Sequence, residues 1–127
     1  MNDKRFKTLG IYAIIIFMAI SCDKKFNSDE WKNTNLATLD NVIDKNNNRN
    51  LMINDLVESK LLIGKNSKEI KSLLGNEYIK DTLRHTYRYE TYEDYGMDID
   101  PKYLKGLEVI FNKDSTVTEV KIYEIKR

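Results

Sequence analysis

The hydrophobic period of this chain changes at Gly75, and that change restricts it to one class of fold. Before Gly75 apolar residues recur at three- and four-residue spacing, as on one side of a helix; after it they alternate, as on one face of a strand. The best-marked helix is Asn66-Ser67-Lys68-Glu69-Ile70-Lys71-Ser72-Leu73-Leu74-Gly75. Asn66 can accept from the free N–H groups of the first turn, and Glu69 can reach back to the N–H of Asn66, which makes a capping box. Gly75 supplies a left-handed stop. Upstream, Met52, Ile53, Leu56 and Val57 share one side of a predicted amphipathic helix over Arg49–Lys60. Leu36–Ile43 has the spacing of a shorter helix, which the Asn46-Asn47-Asn48 cluster then stops.

Downstream, three runs alternate. Arg84–Glu93 sets His85, Tyr87, Tyr89 and Thr91 against Thr86, Arg88, Glu90 and Tyr92. Leu107, Val109 and Phe111 then alternate with Glu108, Ile110 and Asn112, and the last run covers Val117–Ile125. Asn112-Lys113-Asp114-Ser115 has turn chemistry and joins the last two runs as a hairpin, whereas Asp94–Lys102, with Gly96 and Pro101, is a longer loop. Two helices followed by three antiparallel strands predict a two-layer α+β domain.

The first twenty-two residues carry an address. Lys4, Arg5 and Lys7 are followed by fourteen uncharged residues from Thr8 to Ser21, the layout of a secretory signal. A membrane span needs roughly 20 apolar residues, so a permanent transmembrane helix is disfavoured. The stretch ends in Ala19-Ile20-Ser21-Cys22, which resembles the bacterial lipobox. That resemblance implies removal of residues 1–21 and a thioether-linked diacylglycerol on Cys22, usually with an amide-linked acyl chain on the new amino terminus. Two or three chains, at about 0.8 kcal/mol per buried CH₂, hold a protein on a membrane durably.

Removing residues 1–21 takes Asp3, Lys4, Arg5 and Lys7 with it and turns the formal charge of +1 into about −1. Neither figure supplies the basic excess that nucleic acid or an anionic lipid surface would select. Cys22 is the one cysteine of the 127 residues, so no disulfide can form within the mature chain and its core must hold it. Residues 22–35 mix Asp, Lys, Asn and Ser with few apolar groups, a tether composition, and the domain is expected over residues 36–127.

The run Gly64-x-Asn66-x-x-Glu69-Ile70-x-x-Leu73-Leu74-Gly75, then a Tyr-rich strand, then Leu107-x-Val109-x-Phe111 and Val117-Thr118-x-Val120, resembles the BamE (SmpA/OmlA) lipoproteins over about residues 49–125. Their fold is similar to the β-lactamase-inhibitor-protein (BLIP) module. Such chains usually carry a proline where Glu77 stands here. The resemblance implies an envelope protein that acts through contacts, as BamE does in outer-membrane β-barrel assembly. The outer membrane is the favoured location; Asp23 after the cysteine, as in some enterobacterial lipoproteins, implies the inner membrane as the alternative.

Residues that carry chemistry are sparse. His85 is the single histidine, and no serine stands in a nucleophile-elbow setting, so His85 reads as a strand residue covered in part by its neighbours. Asp94, Asp98 and Asp100 share a loop but lack the spacing of a calcium loop, and no metal or cofactor is expected. Six of the eight tyrosines lie between Tyr78 and Tyr103. That concentration suits an interface, for which Tyr87, Tyr89, Tyr92 and Tyr95 are the candidates, and it equally suits ordinary sheet propensity. The expectation is therefore a lipid-anchored, non-enzymatic binding or scaffolding protein of the bacterial envelope, with an envelope protein as partner. The alternative is a tethered inhibitor or ligand-binding module that uses the Tyr-rich sheet.

Overall fold

Asparagine caps build the helical half of the molecule. The computed structural model describes residues 24–34, 36, 38–97 and 99–127. Its helices are α1 (Ser28–Asn33), α2 (Leu39–Val42), α3 (Asn48–Glu58) and α4 (Ser67–Leu74). Asn27, Asn47 and Asn66 cap α1, α3 and α4, each side chain accepting the N–H three residues on. Thus Asn47, in the cluster expected only to stop a helix, also starts one. At α4 the box is complete: Asn66 Oδ1 accepts from Glu69 N at 2.9 Å, and Glu69 Oε1 accepts from Asn66 N at 3.3 Å. Gly75 ends α4 at φ 89°, ψ −178°. Its φ is positive as expected but its ψ is extended, a region that only glycine occupies readily.

The strands β1 (Ile79–Asp81), β2 (Thr86–Asp94), β3 (Tyr103–Phe111) and β4 (Val117–Lys126) form one antiparallel sheet in the order β1-β2-β3-β4. The class is α+β, as the period change predicts, but the described residues hold four helices rather than two and the sheet has four strands rather than three. The strand missing from the sequence reading is β1. Only three residues long, it pairs Ile79 with Arg88 and Asp81 with Thr86 through backbone alone, and Ile79 and Lys80 stay exposed. It offers no alternation to detect. Residues 82–85 turn into β2, and His85, expected within the strand, is an exposed turn residue at φ 51°.

Register divides the sheet into rows. Tyr87, Val109 and Val120 form one row and Tyr89, Leu107 and Ile122 the next, all on the face covered by helices. Against them pack Met52, Ile53 and Leu56 of α3, Ile70 and Leu74 of α4, and Trp31 of α1. Tyr89 also donates its hydroxyl to the Gly75 carbonyl at 2.9 Å, tying β2 to the end of α4.

A second correction concerns residues 22–35, expected to be a tether. From Lys24 onward the chain is packed. Lys24 N–H donates to Leu51 O at 3.2 Å and Phe26 N–H to Asp55 Oδ2 at 2.8 Å, so residues 24–26 run beside α3. Trp31 on α1 is fully buried, with Phe26 and Tyr89 ring centroids 6.2 and 6.4 Å away in edge contacts. One large aromatic residue is enough to draw a polar segment into the core, because indole burial removes 150–250 Å² from water. The domain therefore includes α1.

Candidate functional site

The four tyrosines singled out in the sequence do not make a surface. Tyr89 is fully buried, Tyr87 and Tyr92 are 7% and 6% exposed, and only Tyr95 is half-buried. Tyr87 stacks on Tyr78 at 4.0 Å between centroids and meets Phe111 edge-on at 4.8 Å. Burial pushes the Tyr87 and Tyr89 phenols up, with Tyr78 adding to each. A partner cannot dock on Tyr87 or Tyr89 while the helices are in place. A bulge between Glu90 and Tyr92 breaks the alternation and turns Tyr92 toward Tyr103, 5.9 Å away. Tyr95, in the loop after β2, donates its hydroxyl to the Glu93 carboxylate, which raises the phenol's pKa.

The other face of the sheet carries the charge. Arg88, Glu108 and Lys121 make one row, and Glu90, Gly106 and Tyr123 the next. Arg88 lies 4.0 Å from Glu108 and 5.6 Å from the Tyr123 ring centroid. The Tyr123 ring covers Gly106 so closely that a Cβ there would stand 2.5 Å from it and from the Tyr89 carbonyl oxygen. Burial, then the carboxylates of Glu90, Glu93 and Glu108 against the opposing Arg88, pushes Tyr123 up to about 12. Glu90 is raised by burial first and by Glu93 second. The first row pairs plus with minus across the strands, whereas in the second Glu90 is the one charged residue.

Two ends remain, separated by the nine residues of β2, or roughly 26 Å at about 3.3 Å per residue. At the turn end a groove of about 330 Å³ is lined by His85, Lys71, Lys80 and the edges of Tyr87 and Phe111. At the loop end a wider groove, about 620 Å³, lies among Leu39, Ile43, Asp94, Tyr95, Gly96 and Ile99. Asp94 Oδ1 accepts from Gly96 N, and Asp98 lies outside the described residues. Among the described residues no three of His, Cys, Asp and Glu converge to hold a metal.

Sequence reasoning missed Arg49, which is 3% exposed. Its Nε donates to the Trp31 carbonyl at 3.0 Å and its guanidinium lies 5.2 Å from the Trp31 ring centroid, fastening α1 to α3. Burial lowers its pKa, and Glu77 works in the opposite direction. Cys22, the expected lipidation site, lies outside the described residues. What the structure does fix is where that part of the chain joins the domain: Lys24, whose Nζ donates to Asn48 Oδ1 at 3.0 Å and pairs with Glu30 at 2.6 Å. No described helix is long and apolar enough to cross a membrane. No family model, curated protein or solved structure matches the chain.

Proposed function

We propose that this chain is a bacterial envelope lipoprotein, acylated at Cys22, whose domain acts as a non-enzymatic binding or scaffolding module of the BamE-like kind in outer-membrane protein assembly. One observation carries the reading. The sole cysteine directly follows Ala19-Ile20-Ser21 at the end of fourteen uncharged residues that stand behind Lys4, Arg5 and Lys7. A thiol there is placed for an acylating enzyme rather than for a core. Further support comes from the α+β class and the capping box at Asn66 and Glu69, both of which the resemblance to BamE implies.

The alternative, a tethered inhibitor or ligand-binding module, rested on the tyrosines, and with Tyr87 and Tyr89 in the core it keeps only Tyr95 and the sheet edges. Growth with radiolabelled palmitate tests the anchor. Label is expected in the wild-type protein and absent from Cys22→Ser; equal labelling of the two overturns the anchor. Crosslinking in intact cells tests the role, because an assembly component recovers outer-membrane machinery and an inhibitor recovers one enzyme.

A further inference from the structure

The chain between the proposed anchor and the first packed residue is very short. Only residues 22 and 23 precede Lys24, which is held on the first turns of α3 by its backbone at Leu51 and its side chain at Asn48. Two residues reach about 7 Å at most. An acyl chain attached there holds this end of the domain against the membrane rather than suspending it in solution.

This end also exposes apolar groups without covering them. Asn47, the cap of α3, donates through Nδ2 to the carbonyls of Asn41, Asp44 and Thr91, which fastens α2 and the far end of β2 around the start of α3. The loop after β2 follows directly. On it Met97 is 98% and Ile99 95% exposed, and Leu39 and Ile43 of the α2 segment beside it are 58% and 42% exposed. Leu39, Ile43 and Ile99 line a single groove. The charged residues of the same segments are of both signs, Lys24, Lys25, Lys45 and Lys102 against Asp40, Asp44, Asp94 and Asp100. Such a surface gains from apolar contact and nothing from a charged partner.

We propose that Met97, Ile99, Leu39 and Ile43 form a membrane-contact surface that enters the interfacial layer of the bilayer beside the acylated Cys22. This rests on the anchor reading. The occupant is lipid because the anchor brings lipid within a few ångströms of this end whatever else is present. Interfacial insertion of such side chains reaches roughly 5–10 Å, and the mixed charge makes it independent of anionic lipid. The turn end, with Leu83 94% exposed, then faces away from the membrane along the length of β2.

The test uses the full-length chain, expressed with its leader, extracted from membranes and reconstituted in neutral phosphatidylcholine vesicles. Met97→Cys, Ile99→Cys and Leu83→Cys each receive a thiol-reactive, environment-sensitive fluorophore, with the wild type as control. All three positions are exposed, so none of the changes disturbs the core. Acylation occupies the Cys22 sulfur, so the wild type is expected to take no label. The fluorophores at 97 and 99 are expected to shift to the blue and lose emission when brominated phosphatidylcholine is used, with the one at 83 unchanged. If the wild type stays unlabelled and position 97 behaves like position 83, the contact surface is wrong and the anchor stands. If the wild type labels at Cys22, the anchor is wrong and the contact surface falls with it.

Discussion

The two faces of the sheet are made by the same strands and are stabilised by different physics. On the covered face the rows Tyr87–Val109–Val120 and Tyr89–Leu107–Ile122 meet helices, and each residue contributes by the area it removes from water. On the open face Arg88, Glu108 and Lys121 alternate in charge, and Tyr123 lies flat over Gly106. There the contributions come from pairing and close fit, with the buried Glu108 carboxylate 4.0 Å from Arg88. The difference teaches where tyrosines are used: Tyr87 and Tyr89 bury their rings under the helices, while Tyr123 works on the open side. It also follows that damage to the two faces will differ in size.

The largest effect is expected on the covered face. Trp31→Ala removes the ring that joins Phe26, Arg49 and Tyr89 and is predicted to cost about 3–5 kcal/mol, the usual range for deleting a buried aromatic side chain. Urea denaturation followed by far-ultraviolet circular dichroism measures it. A loss below about 1 kcal/mol, typical of a surface position, means that α1 is not part of the core and restores the tether reading for residues 22–35.

Gly106→Ala probes the open face at its tightest point. The added Cβ meets the Tyr123 ring, which can swing away, and the Tyr89 carbonyl, which is fixed in the β2 ladder. A cost of about 1–3 kcal/mol is expected, as for other overpacked sites. Combining it with Tyr123→Ala is expected to recover part of that loss and not all of it. Full recovery means that ring contact alone sets the glycine requirement.

The parts of this fold that announce themselves in sequence are those with a repeated local signal. α4 shows Asn66-Ser67-x-Glu69 before an apolar stripe, and β2, β3 and β4 each contain a shorter alternating run, around Tyr87–Glu90, Leu107–Phe111 and Val120–Tyr123. The same cap signature stands at Asn27-Ser28-Asp29-Glu30, yet only Trp31 follows it as a buried residue on α1, so composition outweighed it. β1 carries no side-chain pattern because backbone pairing alone holds it. That Tyr87 and Tyr89 point into the core is hidden in the sequence for a related reason. Alternation tells which residues share a face but not which face the helices cover, and the Tyr row looked the same either way. The loop end with Met97 and Ile99 has no periodicity at all, and its exposed apolar groups become visible only once the fold is known.

The subtlest contrast between the faces concerns how each holds a tyrosine neutral. Burial is the first cause at both; at Tyr89 the neighbouring phenols Tyr78 and Tyr87 add to it, whereas at Tyr123, pushed up to about 12, the carboxylates of Glu90, Glu93 and Glu108 add to it. A phenol whose folded pKa lies above its unfolded value of about 10 keeps its proton longer in the folded state. Stability from that source is therefore complete below pH 10 and falls as pH rises from 10 toward 12, by no more than about 1.4 kcal/mol per pH unit for one group. Tyr123→Phe is expected to flatten the fall in urea midpoint between pH 10 and 11.5. Because its cause includes charges on an open face, the flattening should shrink in 1 M salt, where the screening length drops to about 3 Å. The corresponding change at Tyr89, deep under the helices, should be indifferent to salt. Equal salt sensitivity at the two positions would show that the open face is as dry as the covered one, and the distinction between area and pairing would no longer separate them.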